Sequence, residues 1–374
     1  MIPTANGIAR WTGSRTACSC RLCRTRFKPV PALQETSMSF NIISCDGGGI
    51  RGLITAILIQ DLDQHSSILS HANCFAGTST GGLLALALVK NVPIGTIIEM
   101  YMTKGASIFE PNGWLLDQQT QVQRQEVDAA LGSGPGFFSS QYKNDGLIQI
   151  ASGLLGTTQL AQAQRLVVVN AARLWDASSA NWMPATFSNG ANNAYRQISM
   201  VDAALATSAA PTYFPPYRIA GTNEDYGFFA DGGVFANNPA MTAVAEAIAS
   251  GQVTNIGDIQ LLSLGTGSSP QGIPAAAIGN PLGWGATSWL HPWASGPVPA
   301  MPLLNLTMDA TAELASIQAE QVLAGNFRRA NVELQHPYAL DDWKHVADLA
   351  SQTQAYLQTD AWKQTRDWVA SRWT

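Results

Sequence analysis

Four short apolar runs that lead into glycine-rich turns limit the folds open to this chain. They are "FNIISC" at residues 40–45, "ANCFAGTSTGG" at 72–82, "GFFADGG" at 227–233 and "DIQLLSLGTG" at 258–267. Helical patterns lie between them, for example at residues 50–65. Apolar strands that alternate with helices are typical of a parallel sheet covered on both faces. The sequence therefore predicts an α/β fold with a mainly parallel central sheet, and mostly helices from about Met301 onward.

The charge distribution divides the chain into an extension and a domain. Residues 1–38 hold six of the 21 basic residues and one of the 26 acidic residues. They show no hydrophobic periodicity, so we expect a disordered or artefactual N-terminal extension there and one domain at residues 39–374. That domain carries a net charge of −10, which disfavours nucleic acid as a partner.

The cysteines and the absence of long apolar runs bear on location and metal content. Cys18, Cys20 and Cys23 are spaced like a metal knuckle but lack a fourth ligand, so we predict no metal site. Five cysteines spread over 374 residues favour a reducing compartment. No apolar run reaches the ~18–20 residues of a membrane span, and no secretory pattern is recognisable. We therefore expect a cytoplasmic protein that contacts membranes peripherally.

The first glycine motif allows two interpretations. Gly47, Gly49 and Gly52 fit the G-x-G-x-x-G fingerprint of dinucleotide binding. That fingerprint needs an acidic residue at the end of a second strand about 20 residues later, whereas Asp61 and Asp63 come too early and lie inside a helical pattern. The sequence therefore favours a loop whose backbone N–H groups hold a developing oxyanion, and a nucleotide-dependent oxidoreductase is the weaker alternative.

The second glycine motif predicts a nucleophile. Gly77-Thr78-Ser79-Thr80-Gly81 has the pattern G-x-S-x-G, between a strand and a very apolar helix. In this nucleophile elbow the glycines permit a tight turn that exposes the serine hydroxyl. The start of the following helix adds partial positive charge near the oxygen that becomes anionic. Ser79 is therefore the candidate nucleophile of a hydrolase.

The base that activates Ser79 is less obvious from the sequence. None of the five histidines stands on a loop directly after a predicted strand, where a triad would place one. Asp231 does stand at a strand end, followed by two glycines. A partly desolvated carboxylate at that edge of the sheet can accept the serine proton directly, although a turn or cap role for Asp231 stays open.

Three motifs in order resemble the signatures of the patatin-like phospholipase family. They are "DGGGIRG" (46–52), "GTSTGG" (77–82) and "DGGVFANNP" (231–239), and "DAALATSAAPTYFPPY" (202–217) and "LSLGTG" (262–267) also resemble family segments. The resemblance extends from about residue 40 to about residue 355. It implies a three-layer α/β/α body similar to the catalytic domain of cytosolic phospholipase A2.

The resemblance also implies a function and a set of site residues. It makes Ser79 and Asp231 a catalytic Ser–Asp dyad, and Gly47, Gly48 and Gly49 the oxyanion hole. It implies hydrolysis of the fatty-acyl esters of phospholipids or related glycerolipids at a membrane or micelle interface, without metal or other cofactor. A lipid-binding or storage protein with a vestigial site is the alternative.

Other residues are harder to interpret from sequence. Arg51 is expected either to fix the glycine loop or to meet a headgroup phosphate. Residues 280–305 hold Trp284, Trp289 and Trp293 without any charged residue, so we consider them either a lid or docking loop over Ser79 or a brace packed into the core. The apolar stripe of the C-terminal helix is expected to pack against the body; its members are Trp362, Val369 and Trp373.

Overall fold

The computed structural model describes residues 39–112, 139–176, 178–221 and 225–373. The predicted extension at residues 1–38 lies outside the described residues. The strands are β1 (Phe40–Cys45), β2 (Cys74–Thr78), β3 (Leu166–Asp176), β4 (Asn181–Ser188), β5 (Tyr217–Ala220), β6 (Asp225–Asp231), β7 (Ile259–Leu264) and β8 (Phe327–Ala330).

Helices connect these strands in most places. The helices are α1 (Gly52–Ser66), α2 (Ile68–His71), α3 (Thr80–Val89), α4 (Ile94–Thr103), α5 (Gly105–Ile108), α6 (Asp145–Leu155), α7 (Met200–Thr207), α8 (Gly233–Ala236), α9 (Ala240–Ala249), α10 (Ala275–Ile278), α11 (Ala286–Trp289), α12 (Pro302–Leu323), α13 (Val346–Tyr356) and α14 (Asp360–Arg372). No helix among the described residues is both long enough and apolar enough to cross a bilayer.

One eight-stranded sheet forms the centre of the described domain. Its order is β5-β6-β3-β2-β1-β7-β8, and β4 pairs with β3 beside this path. The pairs β1–β2, β1–β7, β2–β3 and β7–β8 are parallel, whereas β3–β4, β3–β6 and β5–β6 are antiparallel. The expectation of a mainly parallel sheet is therefore confirmed, with an antiparallel group at one side.

Two helix layers cover the two faces of the sheet. Alternate strand residues point to opposite faces, and the core divides accordingly into two clusters. Ile43 and Val169 pack in the larger cluster with α1, α3 and the C-terminal helices. Ile42 and Val168 pack in the smaller one with α9 and the end of α12. This arrangement confirms the three-layer α/β/α fold.

The C-terminal part differs from expectation in one element. The prediction of mostly helices after Met301 is right for α12, α13 and α14, but β8 interrupts them and pairs parallel with β7. A four-residue strand, "FRRA", has too little periodicity to be recognised in a sequence. The C-terminal stripe packs on the body as expected, and the Trp362 indole N–H donates to Asp61 Oδ2 at 2.7 Å.

Candidate active site

The sheet topology brings the ends of β2 and β6 together. β2 runs parallel to β3, with Thr78 opposite Asn170, and β6 runs antiparallel to it, with Asp231 opposite Ala171. Because β4 occupies the other edge of β3 along this stretch, β2 and β6 share one edge of β3. They approach along it from opposite directions, so their carboxyl ends meet. The residues at these ends, Ser79 and Asp231, are thereby neighbours across 152 positions of sequence.

Ser79 occupies the strained turn that the G-x-S-x-G motif predicts. Its backbone has φ 55° and ψ −125°, which an L-residue seldom adopts and which typically costs about 1–3 kcal/mol. A Cβ at Gly77 would lie 1.9 Å from the Gly81 carbonyl oxygen, so only glycine fits there. The Ser79 N–H donates to Thr207 Oγ1 at 2.8 Å, which fixes the turn. Since α3 begins at Thr80, its N-terminus lies beside the hydroxyl.

Asp231 is buried, with 3% of its surface exposed. Its Oδ1 accepts the Gly233 N–H at 2.7 Å, whereas Oδ2 has no hydrogen-bond partner of standard geometry among the described residues. Burial raises the pKa of Asp231 to about 7, and the neighbouring Ser79 hydroxyl and Gly233 N–H offset part of that rise. A carboxylate with a pKa near neutrality is a suitable proton acceptor for a serine.

The glycine loop between β1 and α1 lies next to Ser79. A Cβ at Gly47 would come within 3.2 Å of Ser79 Cβ. The Gly47 N–H donates to the Asn237 carbonyl at 3.0 Å, and the Gly47 carbonyl accepts from Thr266 Oγ1 at 2.8 Å. Within the described part of the chain, the N–H groups of Gly48 and Gly49 have no protein acceptor. These two N–H groups are therefore the ones left available for a ligand oxygen.

A buried ion pair that the sequence did not reveal anchors this loop. Asp46, at the start of the loop, pairs with both terminal nitrogens of Arg329 on β8, and Arg329 Nη1 also donates to Ser263 Oγ at 2.9 Å. Burial raises the pKa of Asp46, and Arg329 opposes this rise. The two residues are 283 positions apart, so only the placement of β8 at the sheet edge brings them together.

Arg51 contacts the loop and also faces open space. Its Nε donates to the Gly48 carbonyl at 3.3 Å, which is a loop-fixing contact. Burial lowers the pKa of the Arg51 guanidinium, and the nearby Asp309 carboxylate acts in the opposite direction. Two cavities that adjoin the loop, of about 580 Å³ and 1010 Å³, are both bordered by Arg51.

A small apolar pocket opens directly at Ser79. Its volume is about 50 Å³. The residues that line it include Ile50, Leu83, Tyr101, Phe109, Leu147 and Phe214. Tyr213 and Leu340 border both this pocket and the cavity of about 1010 Å³, so the two spaces adjoin. The walls of the Ser79 pocket contain no histidine, and no cluster of metal-ligating side chains occurs in the residues that the structure describes.

The segment at residues 280–305 is only partly packed. The Trp284 ring stacks edge-on against Trp289 with centroids 5.0 Å apart, and its indole N–H donates to the Ile278 carbonyl at 2.8 Å. Both rings are half-buried, whereas Trp293 is 63% exposed. Trp284 and Trp289 therefore brace the segment itself, and Trp293 faces solvent.

The fold and the site together define a class of α/β protein in which a strand–turn–helix presents a serine beside a glycine loop and a buried carboxylate. The family model described as patatin-like phospholipase matches residues 43–244, which include all three glycine motifs. The chain belongs to the patatin-like phospholipase family. Membership supports a lipid hydrolase and implies lipid substrates.

Several plant proteins are similar to this chain. Patatin-like protein 3 of Arabidopsis thaliana is 30% identical over 324 residues, which cover 75% of this chain and 70% of that protein. A protein of Solanum tuberosum named probable inactive patatin-3-Kuras 1 is 28% identical over 280 residues, 67% of this chain and 68% of that protein. Human GIVD cytosolic phospholipase A2 is a solved structure with 13% identity and a TM-score of 0.36; the match covers 90% of this chain and 61% of that one.

Proposed function

We propose that this protein is a serine lipid acyl hydrolase that cleaves the fatty-acyl esters of phospholipids or related glycerolipids. The observation that carries the proposal is the meeting of Ser79, at a strained elbow, with Asp231, a buried carboxylate whose pKa is about 7. A serine is a weak nucleophile unless a base accepts its proton. Asp231 is the titratable group placed to do so at this turn.

The first half of the reaction forms an acyl-enzyme. Ser79 Oγ attacks the ester carbonyl carbon while its proton passes to Asp231. The carbonyl oxygen becomes an oxyanion, which the free N–H groups of Gly48 and Gly49 stabilise by hydrogen bonds. When the tetrahedral intermediate collapses, the C–O bond to the glycerol breaks and Asp231 returns the proton to the departing alkoxide. The role of Gly47 is to hold the loop through Asn237 and Thr266.

The second half releases the fatty acid. A water molecule donates its proton to Asp231 and attacks the acyl-enzyme carbonyl. The same N–H groups stabilise the second oxyanion, and its collapse returns the proton to Ser79 Oγ. Because Asp231 alternates between base and acid, this cycle needs neither a histidine nor a metal ion.

The apolar pocket at Ser79 and the cavity beside Arg51 suit the two parts of a lipid ester. The apolar pocket at Ser79 fits the start of a fatty-acyl chain. The cavity of about 580 Å³ is lined by polar groups that include Arg51, Asn305 and Asp309, and it suits a polar headgroup. In this arrangement Arg51 both fixes Gly48 and faces the headgroup.

Covalent labelling tests the proposal directly. A fluorophosphonate probe should label the wild type at Ser79, and a panel of phospholipids, galactolipids and triglycerides with product identification by mass spectrometry should give free fatty acid. A folded wild type that neither reacts with the probe nor releases fatty acid would instead support the lipid-binding or storage alternative.

A further inference from the structure

Large apolar side chains are exposed together on the hairpin formed by β3 and β4 and on the adjoining strand β6. Trp175, Trp182, Met183 and Phe228 expose 58%, 83%, 43% and 49% of their surface. The pairing of Arg173 with Met183 and of Asp176 with Asn181 places Trp175 next to Trp182. Phe228 follows on β6, since Phe229 pairs with Arg173. An apolar patch of this kind, grouped on neighbouring strands, marks an interaction surface.

The hairpin projects from the edge of the sheet that carries Ser79. β3 runs in the direction of β2 and continues six residues past Asn170, which lies opposite Thr78. At about 3.3 Å per residue, the tip extends up to roughly 20 Å beyond the end of β2. The exposed tryptophans therefore lie on the same side of the molecule as the entrance to the catalytic site.

The charged side chains of these strands leave the patch electrically neutral. Arg173 pairs with Asp176 at 3.2 Å, and Arg218 pairs with Asp225. Apart from Asp231, these are the charged residues of β3, β4, β5 and β6. No excess positive charge is available on the patch to attract an anionic surface, so any partner must be bound by apolar contact.

A second uncharged surface follows the carboxyl end of β7, on the same side of the sheet as the hairpin tip. Residues 259–308 contain no Asp, Glu, Lys or Arg, and they follow the carboxyl end of β7, which runs parallel with β1. Leu282 is 95% exposed and Trp293 is 63% exposed. Residues of this stretch also line the cavity of about 1010 Å³ that adjoins the Ser79 pocket. Uncharged, apolar surface is thus continuous with the route to Ser79.

We propose that the carboxyl edge of the sheet is a lipid-docking face, in which the β3–β4 hairpin inserts Trp175 and Trp182 into the headgroup region of a neutral or zwitterionic bilayer. Indole rings favour that region because an apolar body carries one polar N–H. The occupant is a lipid surface rather than a protein because Trp293, on the second uncharged surface at the same carboxyl edge, lines the cavity that adjoins the Ser79 pocket; this step rests on the proposed function. Trp293 and Leu282 form the second contact.

Vesicle flotation of the full chain tests the proposal. With Ser79→Ala as the background, so that the vesicles stay intact, the protein should bind phosphatidylcholine vesicles. Adding Trp175→Ser and Trp182→Ser should weaken binding at least tenfold, which corresponds to about 1.4 kcal/mol, because two indole rings are no longer buried in the headgroup region. Ile256→Ser is the matched control, because Ile256 is 39% exposed at the opposite edge, before the amino end of β7. Replacing part of the phosphatidylcholine by phosphatidylglycerol should not strengthen binding.

Catalytic measurements separate docking from chemistry. In the active protein, the double tryptophan variant should lose hydrolysis of vesicle phosphatidylcholine and keep hydrolysis of a soluble short-chain ester. Unchanged vesicle binding by the double variant, or no binding by the parent, would overturn the proposal. If sedimentation velocity shows that the parent is a dimer and the double variant a monomer, the patch is a self-association surface and the docking proposal is overturned. Vesicle binding without hydrolysis of any ester would contradict the proposed function alone.

Discussion

Asp231 loses nearly all contact with water when β6 joins the sheet, and the loss raises the pKa of its carboxyl group to about 7. Removing solvent disfavours the charged form, and one partner N–H from Gly233 does not compensate for it. The strained backbone of Ser79 is a second local cost at the same point. Groups held in unfavourable states next to one another are typical of a reactive site rather than of a stability-bearing turn.

Substitution of the two proposed catalytic residues gives the first prediction. Ser79→Ala and Asp231→Asn should each lower kcat for a soluble ester by about 10⁴-fold or more, and the double variant should be no worse, because the pair acts as a unit. Circular dichroism should show that each variant is folded. His336→Ala and His345→Ala are the controls, since both side chains are exposed and neither lines the Ser79 pocket. A folded histidine variant as inactive as Ser79→Ala would replace the dyad by a triad.

The pKa of Asp231 gives a second prediction. Asp231 must be ionised to accept the serine proton, so kcat/KM for a soluble ester should rise as the pH rises through about 7 and level off above it. A profile that falls through this range would contradict a carboxylate base.

The free energy of unfolding should fall, rather than rise, as the pH increases and Asp231 ionises. The folded state holds the Asp231 proton more tightly than the unfolded state, whose pKa is near 3.8. The stability from this group is thus full below about pH 4 and is lost as the pH rises through about 7. Asp231→Asn removes the titration, so its Tm should exceed that of the wild type by more at pH 8 than at pH 4. Equal differences at both pH values would show that Asp231 titrates normally.

At the scale of elements, β8 connects the edge of the sheet to the glycine loop between β1 and α1. Its Arg329 contacts Asp46 and Ser263. The preceding residue, Arg328, donates to Thr365 Oγ1 at 3.0 Å. Neighbouring strand residues point to opposite faces, so one arginine serves the loop and the other the C-terminal helix. The position of the glycine loop therefore depends on an edge strand near the end of the chain.

Replacement of Arg329 tests this dependence. Arg329→Met leaves Asp46 buried without its cation, which should cost about 3 kcal/mol and lower kcat for a soluble ester as the loop moves. Asp46→Asn together with Arg329→Met should recover part of the Tm, because no buried charge is then unpaired. Arg328→Met is the matched control and should leave kcat unchanged. If both arginine variants reduce kcat equally, the effect comes from β8 as a whole and not from the Asp46 contact.

At the scale of the whole molecule, distant parts of the chain pack against the glycine loop. A Cβ at Gly49 would lie 2.1 Å from the Leu340 carbonyl oxygen, and Thr266 packs equally close to Gly48. Asp61, one of the two acidic residues that follow the glycine motif, instead accepts from the Trp362 indole and pairs with Arg366. Distant parts of the chain thus pack closely against Gly48 and Gly49, and the candidate acid is used internally. Both observations argue against a dinucleotide site.

A nucleotide titration therefore provides the fifth prediction. Neither NAD nor ATP should raise the Tm of the protein, because a ligand stabilises a protein only when it binds the folded state. Reaction with the fluorophosphonate probe should be equally fast with and without either nucleotide. A concentration-dependent rise in Tm with NAD would revive the oxidoreductase alternative.

The sequence by itself determined the parts of this protein that depend on near neighbours. The glycine spacing around Ser79 predicts an elbow because Gly77 and Gly81 touch within one turn. The apolar runs predict β1, β2 and β7 because a strand buried on both faces is predominantly apolar along its length. The family resemblance of the motifs is confirmed by the match at residues 43–244. The roles of Ser79, Asp231, Gly48 and Gly49 remain predictions, whereas the Gly47 N–H, which the resemblance places in the oxyanion hole, donates to the Asn237 carbonyl instead.

Only the tertiary structure decided which distant residues meet. It placed Asp231 against Ser79 by sending β2 and β6 along one edge of β3, it used the Gly47 N–H on Asn237, and it joined Arg329 to Asp46. It also carried Trp182 beyond the catalytic edge on a hairpin that the sequence did not predict. Such contacts arise from strand order and pairing direction. These are set by the packing of the whole core, so a local pattern of residues does not contain them.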